Sequence, residues 1–158
     1  MEHNNFLEAF KEEHKIIFNN LLSLKDAVER KDTEDAENLV RFLDEIMGPH
    51  FRVEEEALYP MLAEYFGEDS VEHLLEEHTM ATEAMNEFKH NIGNKQYMVE
   101  RGEDTLKKLQ GFFLHVTSCD GLSIIIEKFS DRQKKNLDAH LTKVRDEAIP
   151  LTVWKQGI

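Results

Sequence analysis

The chain has a single cysteine, Cys119, so no disulfide can staple it internally, and a reducing, cytoplasmic setting is expected. Proline and glycine are also scarce, with three and seven among 158 residues. A sandwich or barrel of short strands needs more turns than that, and long helices fit better. Basic residues are in the minority: 19 Lys and Arg stand against 32 Asp and Glu, a net charge of -13. No basic stripe is available to neutralise phosphates, so nucleic acid is not an expected partner, and neither is an anionic membrane. No apolar run reaches the roughly 18–20 residues of a membrane span. The opening residues, MEHNNFLEAFKEEH, lack a basic stretch followed by an apolar one, so no secretory leader is expected. What is present is a 41% hydrophobic share, enough for a core without staples, and eight histidines whose placement carries most of the information.

Apolar residues recur at helical spacing in four long segments. Phe6, Phe10, Ile17, Leu21, Leu24 and Val28 form the first stripe, and His14 fills its gap. Asn4 or Asn5 can cap it, and Asp32 or Thr33 can cap the next helix. The second segment runs from about Glu34 to Tyr65, with Leu39, Leu43, Ile46, His50, Glu54, Leu58, Met61 and Tyr65 on one face. Gly48-Pro49 lies inside this stripe, so one bent helix is expected. The third stripe is Val71, Leu74, His78, Ala81, Met85, Phe88 and Ile92, after a start where Asp69 and Glu72 resemble a capping box. The fourth holds Met98, Thr105, Leu109, Phe112 and Val116, with His115 beside them and Gly121 near its end. A further helix starts at Ser130, boxed with Gln133, and carries Leu137, Leu141 and Val144 towards Pro150. The expected fold is all-α and one domain over 1–158. It comprises an antiparallel up-and-down four-helix bundle over about 5–126 and a C-terminal appendage, 127–158, with an extra helix.

Each bundle helix thus carries one histidine at or beside its apolar stripe: His14, His50, His78 and His115. Glu54 follows His50 by four residues, about one turn, so the two can face one centre. Asp120 follows His115 by five, a poorer fit that needs local unwinding, which Gly121 would permit. Any one histidine on an apolar face is more often a hydrogen-bonded core residue than a ligand. Four of them, one per helix, with two spaced carboxylates, point instead to a transition-metal site. Without a metal, their burial would leave charges to be desolvated.

Glu13-His14, the stretch HFRVEEEALYP from His50 to Pro60, Glu77-His78, and His115 with Asp120 together resemble the hemerythrin-like (HHE cation-binding) proteins. The likeness covers about Asn5 to Ile126, and HFRVEEEALYP is its most specific piece. It implies a four-helix bundle holding two non-haem iron ions, although zinc or manganese would suit the same donor types. It further implies His14 and His50 on one iron, His78 and His115 on the other, and Glu54 and Asp120 as bridges.

The sequence departs from that pattern in three places. Leu74 stands where the oxygen-carrying relatives have a histidine, and the neighbouring His73 should face outward. Cys119 stands four after His115, where many relatives have glutamate; a small apolar filler is the first expectation, a soft ligand or redox group the second. Gly121 and the run Ser123-Ile124-Ile125-Ile126 replace an acidic, proline-bearing continuation. His3, His90 and His140 read as solvated. Glu55, Glu56, Glu76 and Glu77 read as surface acids, with Glu55 and Glu77 within reach of a metal. Tyr59 either hydrogen-bonds near the site or packs, and Trp154 covers an apolar patch.

Three functions fit. The first is a di-iron protein that binds dioxygen or a small anion, or senses iron or redox state. The second is a di-iron redox enzyme, peroxidase-like or nitric-oxide-related. The E-x-x-H of ferritin-like oxidases occurs only at Glu87–His90, off the stripe, and no zinc-hydrolase H-E-x-x-H is present. The third is a metal-free helical interaction module.

Overall fold

A computed structural model describes residues 5–156; His3 and the candidate cap Asn4 lie outside them. Helix α1 (Phe6–Arg30) starts behind Asn5, whose side chain accepts from the Glu8 N–H, and ends where Lys31 turns left-handed at φ 57°. Asp32 caps α2 (Thr33–Val53) by accepting from the Asp35 N–H. This helix continues through Gly48-Pro49, then widens into a π turn (Glu54–Leu58) and resumes as α3 (Tyr59–Phe66). Pro60 accounts for the widening. It has no N–H to offer, and in a regular helix its ring would collide with the Glu56 carbonyl.

The capping box expected at Asp69 and Glu72 does not form. Helix α4 (Asp69–Asn91) has no side-chain cap, and the Ser70 hydroxyl donates to the Gly67 carbonyl. Asn94 caps α5 (Lys95–Gly121), which stays regular through Gly102 and Gly111. After the short α6 (Ser123–Ile126), Ser130 and Gln133 form the predicted capping box of α7 (Asp131–Glu147), and α8 (Leu151–Gln156) follows.

The helices form a bundle in which α1 packs on α2 and α5, and α4 packs on the same two. Their apolar stripes meet in two clusters. The first gathers Ile17, Leu21, Met47, Phe51, Met85, Phe88 and Leu109. The second gathers Phe6, Phe10, Leu58, Leu62, Leu74 and Ile126. Each bundle histidine falls where its helix passes from one cluster to the other: His14 between Phe10 and Ile17, His50 between Met47 and Val53, His78 between Leu74 and Ala81, and His115 between Phe112 and Cys119. A polar layer therefore crosses an otherwise apolar interior. The stretch Lys95–Ile126 contains a window of mean hydropathy 1.3, apolar and long enough to cross a membrane by composition alone. Gln110, His115, Thr117 and Asp120 interrupt its apolar residues. Here α5 packs against α1 and α4, and His115 and Cys119 are buried in the interior.

The C-terminal helices share this interior. Leu137, Leu141 and Val144 of α7 join the second cluster, while Leu151 joins the first and Trp154 packs against it. The approach of α8 depends on Gly48. A Cβ there would run into the Ile149 carbonyl oxygen and lie 2.8 Å from the Leu151 amide nitrogen. Buried Asp44 fixes the same segment, accepting from the Thr152 N–H at 2.9 Å and the Thr152 hydroxyl at 3.0 Å. Gly48→Ala is expected to cost about 1–3 kcal/mol, the usual range for overpacking, and to expose residues 149–156 to protease. An unchanged melting temperature and an uncut C-terminus would contradict this close approach.

Candidate metal centre

Four imidazole rings meet in the polar layer. The His14 and His50 centroids are 4.8 Å apart and those of His78 and His115 are 4.6 Å apart. Phe10 packs edge-on against His14 at 4.2 Å, and Phe51 stacks on His78 at 3.8 Å, so apolar walls restrain the rings. Glu54 lies between the two pairs. His14, His50 and Glu54 offer donor atoms all within 4.8 Å of one another, and so do Glu54, His78 and His115. One wholly buried carboxylate thus belongs to both groups.

The outer nitrogen of every ring meets a carboxylate. His50 Nδ1 is 2.8 Å from Glu13, His14 Nδ1 is 3.1 Å from Asp120, His78 Nδ1 is 2.8 Å from Glu55, and His115 Nδ1 is 2.6 Å from Glu77. A carboxylate only accepts, so each Nδ1 carries a proton and donates it, and a ring with no second proton presents its Nε2 lone pair to the interior. Carboxylates behind metal-binding histidines fix the tautomer and raise basicity in this way. Two of the four are themselves held from the C-terminal helices. Arg145 of α7 donates to Glu13 at 2.7 Å, and Lys155 of α8 donates to Glu55 at 2.7 Å.

The six sequence candidates therefore separate. The structure brings His14, His50, Glu54, His78 and His115 together. It does not bring Asp120 to them: its side chain is 54% exposed and sits behind His14. The reason is periodicity. The helix α5 stays regular to Gly121, so a residue five after His115 lies ~140° around the axis, while Cys119, four after it, faces inward. Along α2 the π turn gives a different result. His50, Glu54 and Tyr59 all face the centre, and the Tyr59 hydroxyl donates to Glu54 Oε2 at 3.1 Å while lying 3.1 Å from His78 Nε2.

Sequence reading missed Glu13, Glu55 and Glu77 as partners of histidines. The signal was present in Glu13-His14 and Glu77-His78, but each glutamate serves the next helix's histidine rather than its own neighbour. His73 is exposed, His90 bonds its own helix at the Asn86 carbonyl, and His140 pairs with Glu56, so none of these reaches the centre.

Charge explains what the layer requires. Burial, aided by the neighbouring His50, pushes the His14 pKa down to about 4 against the pull of Glu54 and Asp120. Burial lowers His115 as well. For His50 burial also opposes the charged form, but Glu54 and Glu13 outweigh it and raise the pKa to about 10. Burial would likewise raise Glu54, yet His50, His78 and His115 outweigh it and hold its carboxyl well below the ordinary range. Four buried side-chain atoms among the described residues have no hydrogen-bond partner, and two of them, His14 Nε2 and Glu54 Oε1, lie in this layer. Glu54 Oε1 is 3.0 Å from His50 Nε2 but off hydrogen-bond geometry. A lone pair left without a partner, and a buried carboxylate oxygen held only by ionic contact with His50, are costly unless a cation takes both. The donor set suits a transition metal.

A family model described as the Hemerythrin HHE cation binding domain matches residues 5–117. The chain belongs to this family. Comparison with curated proteins and with solved structures gives no match. The family match takes in all four site histidines and Glu54, and ends before Cys119, Asp120 and the C-terminal helices.

The buried rings also give a pH signature. His14 is lowered from 6.5 to about 4, so below pH 6.5 the unfolded chain binds a proton that the folded chain does not. Its contribution to stability is complete above pH ~6.5 and is lost as pH falls towards 4. In chelator, His14→Gln is expected to flatten this part of the stability curve measured by denaturant unfolding. Curves that stay parallel to the parent's would show that His14 is not held neutral.

Proposed function

We propose that the chain is a non-haem di-iron protein that binds dioxygen or a small anion, or senses iron or redox state, inside an up-and-down four-helix bundle. The observation that carries this reading is Glu54, a wholly buried carboxylate shared by two pairs of histidines, with bare donor atoms at His14 and Glu54. The helix order is supported by the stripes, since successive bundle helices traverse the two apolar clusters in opposite directions.

His14 and His50 would hold one ion, His78 and His115 the other, and Glu54 would join them. When bound, a ferrous pair supplies electrons to an oxidant or an open position to an anion. The chain's part is to hold the rings. Glu13, Glu55, Glu77 and Asp120 each keep an Nδ1 proton in place, so that Nε2 is the atom each ring would offer a metal, His50 giving up its second proton as the ion binds. Phe10 and Phe51 restrict water around the rings.

A cleft of about 530 Å³ between α1 and α5 has His14 and Asp120 in its wall, with Lys11 and Lys15 beside them. Two cations on an otherwise acidic surface favour a small anionic ligand on that side. The metal-free alternative leaves the buried His14 Nε2 without a partner. A cytoplasmic location, and neither nucleic acid nor membrane as partner, complete the proposal.

Protein made with ample iron and purified anaerobically is expected to hold about two ions per chain by mass spectrometry. Glu54→Ala should lose both and His14→Ala only one, because only Glu54 is shared. Fewer than one ion per wild-type chain would overturn the reading. Glu77→Gln removes a charged acceptor behind His115 and should weaken metal binding about 10–100-fold without unfolding the chain. Equal affinity would show that His115 needs no such support. Air admitted to the reduced protein should change its optical spectrum, and azide should alter the oxidised spectrum. If neither does, storage of metal is the better function.

A further inference from the structure

Exchanging α1 with α4, and α2 with α5, maps the centre onto itself. Glu13-His14 corresponds to Glu77-His78, and His50 corresponds to His115. The outer pairs correspond too: Glu13 on His50 matches Glu77 on His115, and Glu55 on His78 matches Asp120 on His14. Four residues after His50 stands Glu54, and four after His115 stands Cys119. The acids Glu55 and Asp120 each follow by one more. By this correspondence the inward partner of Glu54 is Cys119, not Asp120.

We propose that Cys119 is a metal ligand occupying the position that mirrors Glu54, and that the two metal positions therefore differ in kind. The position of His14, His50 and Glu54 offers nitrogen and oxygen. The position of His78, His115, Glu54 and Cys119 adds sulfur. This rests on the metal-binding reading above. The geometry supports it independently of the correspondence. Cys119 Sγ is wholly buried, 3.4 Å from the inward nitrogen of His115 and 3.5 Å from the Tyr59 hydroxyl, which itself reaches Glu54 and His78. Glu54 Oε1, also buried, makes no hydrogen bond; it groups with His78 and His115 as close donors, and Cys119 Sγ lies at the edge of that group, beside His115. A filler needs only volume, whereas this sulfur is turned towards ligand atoms.

On binding, a metal–sulfur bond forms as the S–H bond breaks. The proton goes to solvent and no electron is transferred. A thiolate beside two imidazoles favours zinc or ferrous iron over manganese at that position, while the other position has no such bias.

The test uses the whole chain, freed of metal and titrated anaerobically with cobalt(II) in thiol-free buffer. Cobalt–thiolate bonds give a strong near-ultraviolet charge-transfer band that nitrogen and oxygen ligands do not. The wild type is expected to show this band, and Cys119→Ser to lack it while still binding cobalt, with one of two sites weakened at least about tenfold. Zinc-edge X-ray absorption on the wild type needs no variant and should show a sulfur shell at about 2.3 Å. Cobalt bound without the band, together with zinc bound without the sulfur shell, overturns the proposal and leaves the metal reading intact. A band that persists in folded Cys119→Ser also overturns it. Binding of neither cobalt nor zinc overturns the metal reading, and this proposal with it.

Discussion

Burial of the Glu54 carboxylate is the constraint around which the molecule is arranged. A single ionised carboxylate between two apolar clusters is unfavourable by many kcal/mol unless positive charge meets it. Among the described residues, the groups in the polar layer able to supply that charge are imidazoles. His14 is pushed towards neutrality by burial and by His50, and His115 is lowered by burial, while His50 has its charged form stabilised by Glu54 and Glu13. The outer shell deepens the demand: Glu13, Glu55, Glu77 and Asp120 surround the rings with further negative charge, while Arg145 and Lys155 meet only two of these four. A pair of divalent ions would bring positive charge to this layer of carboxylates and imidazoles.

Those two cations give the C-terminal helices a part in the site. Lys155 reaches Glu55 because α8 lies against α2 and α4, and α8 lies there because Gly48 has no Cβ and Asp44 binds Thr152. Glu55 in turn orients His78. Arg145 makes the equivalent link through Glu13 to His50. The family match ends at residue 117, before either cation. The shared part of the chain provides the histidines, and the extension adjusts two of them through their carboxylates.

Much of this was legible in the sequence because it depends on local periodicity. The apolar stripes, the caps at Asn5, Asp32 and Ser130, and one histidine per bundle helix need only the helical repeat. The partners of the histidines were not legible, because they lie across helices. Nothing in Glu13-His14 says that the glutamate serves His50 on α2. The position of Asp120, behind His14 rather than among the inward donors, was not legible for a sharper reason. One residue of spacing is ~100° of rotation, and only a local widening could have turned position 120 inward. The chain does contain such a widening, but it falls at Glu54–Leu58, where Pro60 disfavours a regular turn, and its effect is to bring Tyr59 to the centre.

The two sides of the centre consequently face different surroundings. On the His14 side, the cleft with Lys11, Lys15 and half-exposed Asp120 opens to water. On the His78 side, Tyr59, Cys119 and Leu74 belong to the second apolar cluster, closed further by Leu137 and Val144 from α7. Burial raises both the Tyr59 phenol and the Cys119 thiol, so neither ionises without a cation beside it. On the α4–α5 face a second cleft of about 360 Å³ reaches only Glu77, the carboxylate behind His115, and not a ring itself. A symmetric frame of four helices and four His–carboxylate pairs thus carries an asymmetric interior. Polar, accessible groups lie at one end of Glu54, and a phenol and a thiol, both shielded from solvent, lie at the other.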